Sequence, residues 1–192
     1  ARVIVGNARP PIENASFVVS GGRFTQVGTA ADVKVPAAAT RANLAGKTVM
    51  PTIIDTHNHL SQTREMLIDD LRRRAYFGVA AAVSMGQDTA DAPYQMRSET
   101  MPGLARMFTA GRGITAPEPG RTDIPYWITT AEEGRAGVRE QAARGVDIIK
   151  IWVDDRNGQY PKLAPELYAA VIDEAQQAGL GATGQGNHPG DA

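Results

Sequence analysis

The chain has 192 residues, of which 42% are apolar, 21% charged and 6% aromatic, with 20 basic and 21 acidic side chains and a formal net charge of -1. That balance excludes a polyanion-binding surface as the main role, because nucleic-acid binders carry a basic excess. The absence of cysteine excludes a disulfide framework, thiol catalysis and Cys-ligated zinc. No run approaches the roughly 18 apolar residues of a membrane span, and no charged-then-apolar leader opens the chain. The expectation is a soluble, cytoplasmic protein with neither nucleic acid nor membrane as partner.

Residues 1–50 read as a small β layer. Val3-Ile4-Val5, Ser16 to Val19 and Arg23 to Val27 are short β-branched or aromatic runs, and Gly21-Gly22 suits a hairpin turn. From Thr52 the pattern becomes strand, then helix, repeated. Thr63 to Phe77 is a predicted helix, with Leu67, Ile68, Leu71 and Ala75 on one face, Asp69 and Asp70 four residues before Arg73 and Arg74, and Gly78 as its stop. Thr130 and Glu133 have capping-box spacing and open a second helix ending near Gly145. A third begins at Pro165 and carries Leu167, Tyr168, Val171, Ile172 and Ala175 as its apolar stripe. Apolar runs starting at Ile53, Val79, Ala105, Val146 and Leu180 read as parallel strands covered by helices on both faces. The predicted class is therefore α/β, a (β/α) barrel or a doubly wound sheet, with five strands where a closed barrel needs eight.

Two of the three histidines fall in Asp55-Thr56-His57-Asn58-His59, directly after the first of these strands. Residues i and i+2 of an extended segment face the same way, so His57 and His59 are placed to offer two imidazoles to one metal ion at a strand's C-terminal end. The alternative is a pair of solvent-facing loop histidines. Lys150 lies in the most apolar run of the chain, Gly145 to Val153. Burial favours its neutral, reactive amine, which suits a Schiff base or a carbamate formed with CO₂; a lysine snorkelling to water is the alternative. Arg112 follows the third strand and is a candidate for binding an anionic group. Asp154 and Asp155 read as a solvated acidic loop, and Trp152 and Tyr126-Trp127 as core or pocket aromatics.

Pro51-Thr-Ile-Ile-Asp-Thr-His-Asn-His-Leu60 resembles the proline-to-HxH signature of the amidohydrolase superfamily, and Gly145 to Ile151 resembles its strand-four lysine segment. Gly22 to Gly28 and Ala45 to Pro51 are similar to the β-sandwich that precedes the barrel in that family. The resemblance covers residues 1–180 and looks closest to the imidazolonepropionase-like and prolidase-like branch. It implies a partial TIM-like barrel over 51–192 behind a β-sandwich-type layer over 1–50. It also implies hydrolysis of amide or other C–N bonds by a metal-activated water. His57 and His59 would hold one divalent ion, with zinc the expected metal, and carboxylated Lys150 would bridge it to a second. The substrate would be a small amide or dipeptide-like molecule.

The sequence departs from the family at the strand-five histidine, where Gln185 falls in register and His188 is the only histidine available. Strands six to eight and their general-base aspartate are not in it, so no catalytic residue is assigned. The expectation is a homo-oligomer, or a chain whose C-terminal barrel half lies elsewhere. A catalytically silent half-barrel and a Schiff-base lyase using Lys150 are the alternatives.

Overall fold

The structure is a computed structural model that describes residues 1–186. The chain divides into two compact units, Ala1–Thr52 and Ile53–Ala192.

The first unit holds β1 (Arg2–Val3), β2 (Ala15–Ser20), β3 (Arg23–Thr29) and β4 (Thr48–Val49). Strands β2 and β3 form an antiparallel hairpin with an irregularity at Val18/Val19, and β1 pairs parallel with β4. Gly21 and Gly22 both take positive φ (58° and 74°), as the tight turn between two right-twisted strands requires. Phe17 and Phe24 meet edge to face across the hairpin, their ring centres 5.3 Å apart.

The second unit is a mixed α/β body with parallel sheets. In chain order it contains β5 (Ile53–Asn58), α1 (Arg64–Tyr76), β6 (Val79–Ser84), α2 (Asp91–Met96), β7 (Arg106–Thr109), β8 (Ile114–Thr115) and β9 (Tyr126–Trp127). These are followed by α3 (Ala131–Arg144), β10 (Ile148–Trp152), α4 (Pro165–Gln177) and β11 (Gly181–Gln185). Strands form at all five predicted positions, but in two sheets: β5-β6-β7 and β11-β10-β8-β9, every pairing parallel. The two short strands β8 and β9 and the one-turn helix α2 were not predicted. Between β7 and β10 one backbone bond and the Asp147 side chain stand in for a ladder. Asp147 accepts from Thr109 N at 2.9 Å while holding Arg97 in a two-pronged ion pair, and its own N–H donates to Thr109 O.

Each long helix buries one stripe. Leu67 and Leu71 of α1 pack with Ala82, Met96 and Met107, and Val138 and Val171 of α3 and α4 pack with Ile114, Ile149 and Leu163. Full burial of such side chains contributes about 1.5–3 kcal/mol apiece. The capping box of α3 is complete, and Gly145 closes that helix in the left-handed conformation at φ 79°. Gly134, unfavourable in an isolated helix, is needed here: a Cβ on it would lie 2.9 Å from Val171 Cγ2, where α3 crosses α4. The expected Asp–Arg pairs along α1 are rearranged. Asp69 binds Arg72, Asp70 accepts from Ser61 N, and Arg74 approaches Asp55 at 3.6 Å.

Candidate active site

His57, next to last in β5, and His59, the residue just past its end, turn toward the same space. The two imidazoles stand with ring centres 5.9 Å apart and planes at 87°. Both line a cavity of about 150 Å³, together with Trp152 at the end of β10 and Gln185 at the end of β11. Gln185 is paired in register with Trp152, so an amide occupies the strand-end position beside the lysine strand. His188 lies outside the described residues.

Lys150 is on β10, two residues before Trp152 and on the same face. It is 1% exposed, which removes the snorkelling alternative. It is not part of the cavity lining, and among the described residues it has no hydrogen bond or ion pair; its ammonium lies 6.0 Å from the Trp152 ring centre. Burial pushes its pKa down. Burial likewise holds His57 below its usual value, with Lys150 and then His59 adding to the effect and Asp55 opposing it. The neutral imidazole is the form that binds a metal. The structure thus brings the three predicted residues into one neighbourhood, His57 and His59 sharing a cavity and Lys150 close enough to act on His57.

The segment after the histidines is held by a buried polar knot. Asp88 is fully buried and accepts from Ser84 Oγ at 2.8 Å, Gln62 Nε2 at 2.9 Å and Thr109 Oγ1, while Leu60 N donates to Ser84 Oγ at 3.4 Å. The knot ties the C-terminal ends of β6 and β7 to the chain that leaves β5. Three hydrogen bonds offset the cost of burying a carboxylate without a cation. Nothing in the local sequence around Asp88 marked it, because its partners come from three separate elements.

Trp152 forms one wall of the cavity, and two glycines make room for it. A Cβ on Gly113 would lie 2.2 Å from its ring and one on Gly86 2.8 Å. Arg112, the candidate anion binder, is spent elsewhere. It donates to the carbonyls of Ile124 (2.5 Å), Asp123 and Pro125 and stacks over Tyr126, which fixes the loop after β8. Asp154 is not solvated either: it is 6% exposed and accepts from Arg156.

The donor set fits part of a metal site. With metal–nitrogen bonds of about 2.1 Å, two imidazoles on one ion hold their ring centres about 5–6 Å apart, which matches the separation of His57 and His59. No third histidine, aspartate or glutamate joins them: among the described residues no three such side chains cluster at metal-binding distances. Among the described residues, too, no helix is long and apolar enough to cross a membrane.

No protein-family model and no curated protein sequence matches the chain. Solved structures do. A candidate prolidase from Bifidobacterium longum superposes with a TM-score of 0.82 at 24% identity, over 98% of this chain and 48% of that one. An amidohydrolase matches with a TM-score of 0.76 at 17% identity, over 95% and 54%. A Xaa-Pro dipeptidase with methionine bound in its active site matches with a TM-score of 0.67 at 20% identity, over 96% and 55%. The resemblance to amidohydrolase-superfamily structures, read over residues 1–180 from the sequence, holds at the level of the fold over 95% or more of this chain. The chain spans about half the length of the structures it matches.

Proposed function

We propose that this chain carries part of the active site of a metal-dependent hydrolase of amide or other C–N bonds, built on the first half of a (β/α) barrel that a β-sandwich-type layer precedes in the chain. The observation that carries the proposal is the pair of imidazoles at the end of β5, spaced for one ion and sharing a cavity with the ends of β10 and β11. The solved structures of similar fold include a dipeptidase and a candidate prolidase, which supports a small amide or dipeptide-like substrate.

In this reading His57 and His59 would hold a divalent ion, with zinc, which neutral imidazoles suit, as the expected metal. Lys150 contributes through its amine: the nitrogen lone pair adds to the carbon of CO₂, a proton leaves to water, and the resulting carbamate is an anionic oxygen donor. A divalent ion at this position supplies Lewis acidity toward the substrate carbonyl and a water of lowered pKa. Trp152 walls the cavity and excludes water from one side. Gln185 offers a neutral donor and acceptor and no proton acceptor of useful basicity.

A second reading is favoured by the cavity lining, which among the described residues contains no aspartate or glutamate to act as general base. A catalytically silent half-barrel would keep the two-histidine geometry without turnover. Release of free amine from a panel of dipeptides and N-acyl amino acids by the zinc-loaded chain separates the two. Turnover that falls at least about 100-fold in both His57→Asn and His59→Asn, and that a chelator suppresses, is the result expected of the hydrolase. Zinc binding without turnover selects the silent half-barrel, and turnover indifferent to both substitutions overturns both.

A further inference from the structure

The cavity has a cationic wall that the metal site does not use. Arg121 and Arg156 line the same space as His57 and His59. Both are anchored from behind on Glu118, which is 1% exposed. Arg156 Nε donates to one of its oxygens at 2.9 Å and Arg121 Nη1 to the other. Arg156 is fixed further by Asp154, which accepts from its Nη1 and, at 2.7 Å, from its backbone N–H. A buried carboxylate with a guanidinium on each oxygen is a rigid strut, since releasing either cation leaves an uncompensated charge inside. The backbone of Arg156 is held at φ 53°, a conformation rare outside glycine.

These anchors leave donors over. No described residue accepts from Nη2 of Arg156, or from Nε and Nη2 of Arg121. The negative partners are buried on one side of the pair, and among the described residues the cavity lining holds two imidazoles, two guanidiniums and no carboxylate. A planar guanidinium with adjacent unused N–H groups matches the two oxygens of a carboxylate; Arg156, held by both Glu118 and Asp154, is placed before a ligand arrives, while Arg121, 41% exposed, is held by Glu118 alone.

We propose that Arg121 and Arg156, organised by Glu118, form a subsite for a carboxylate on the substrate, so that the chain favours amides bearing a free acid over neutral ones. The assignment of that carboxylate to a hydrolysed substrate rests on the function proposed above; the binding of the anion does not.

The test uses two probes that differ only in charge, N-acetyl-L-alanine and its carboxamide, titrated calorimetrically into the zinc-free protein. The acid is expected to bind at least about 10-fold tighter than the carboxamide, the ratio of a charge-assisted to a neutral contact. Arg121→Gln and Arg156→Lys should each reduce affinity for the acid several-fold and leave the carboxamide unchanged. Lysine at 156 keeps the charge beside Glu118 and so guards against misfolding, and His57→Asn should leave the acid's affinity intact. Equal affinity for the two probes, or a preference that survives both arginine substitutions, overturns the subsite. A preference for the acid without turnover under any condition supports the subsite and counts only against the hydrolytic function.

Discussion

At the scale of single residues the site depends on groups that the local sequence makes improbable, and each has a measurable consequence. Lys150 is buried with no ion pair among the described residues, so its amine costs stability. Methionine of similar length keeps the packing without the polar head. Lys150→Met is therefore expected to raise the urea midpoint, by an amount equivalent to about 1–2 kcal/mol, while weakening zinc binding. A lower midpoint would show that the amine is well paired. Gly113 tests the cavity wall. The Trp152 ring occupies the space of a Cβ there, so Gly113→Ala should destabilise by about 1–3 kcal/mol and shift the tryptophan emission, read from urea titration and fluorescence. His57, His59 and Lys150 were legible because strand periodicity and an out-of-place charge can be seen in a linear string. Arg121, Arg156 and Glu118 were not. All three lie in loops, and a buried carboxylate between two arginines is a property of two distant loops meeting. Arg112 shows the converse, a charge at the expected edge whose donors are taken by backbone carbonyls.

At the scale of elements, α3 was the most legible helix, since both its ends carry chemical signatures. Thr130 accepts from Glu133 N, and Glu133 accepts from Thr129 and Thr130. Thr130→Ala should cost about 1 kcal/mol, measured as a change in the urea midpoint at constant slope. The same cap gives a pH dependence. Hydrogen bonds from the Thr129 backbone, then its hydroxyl, then the Thr130 backbone hold the Glu133 carboxyl below its ordinary value. A lowered folded pKa means that the carboxylate's contribution is complete above the unfolded value, about 4.3, and is lost as the pH falls through the folded one. The stability gap between the wild type and Glu133→Gln should therefore be constant near neutrality and close on acidification below about pH 4. Thermal melts across that range check it, and a gap that widens in acid contradicts it. The interrupted ladder was illegible for a different reason. Asp147 gives no periodic signal, yet its bonds to Thr109 and Arg97 stand where β7 and β10 would otherwise pair, and β8 takes up the partnership with β10 only further along.

At the scale of the molecule, class and strand positions follow from hydrophobic patterning, whereas the extent of the assembly does not. Among the described residues β5 pairs only with β6 and β11 only with β10, so each leaves an outer edge open. Ile53 and Ile54 on β5 are more than half exposed. Open strand edges bearing isoleucine template further pairing, and self-association that rises with concentration is expected in light scattering. Ile54→Lys should shift the population toward monomer, and a monodisperse monomer at all concentrations would contradict this. The account as a whole rests on His57 and His59 converging on one cation. Titration of the metal-free protein with zinc tests that most directly. It predicts saturable binding that weakens by at least about 10-fold in His57→Asn and again in His59→Asn, with the fold preserved in both. Zinc affinity that is absent in the wild type, or unchanged when either imidazole is removed, would contradict it.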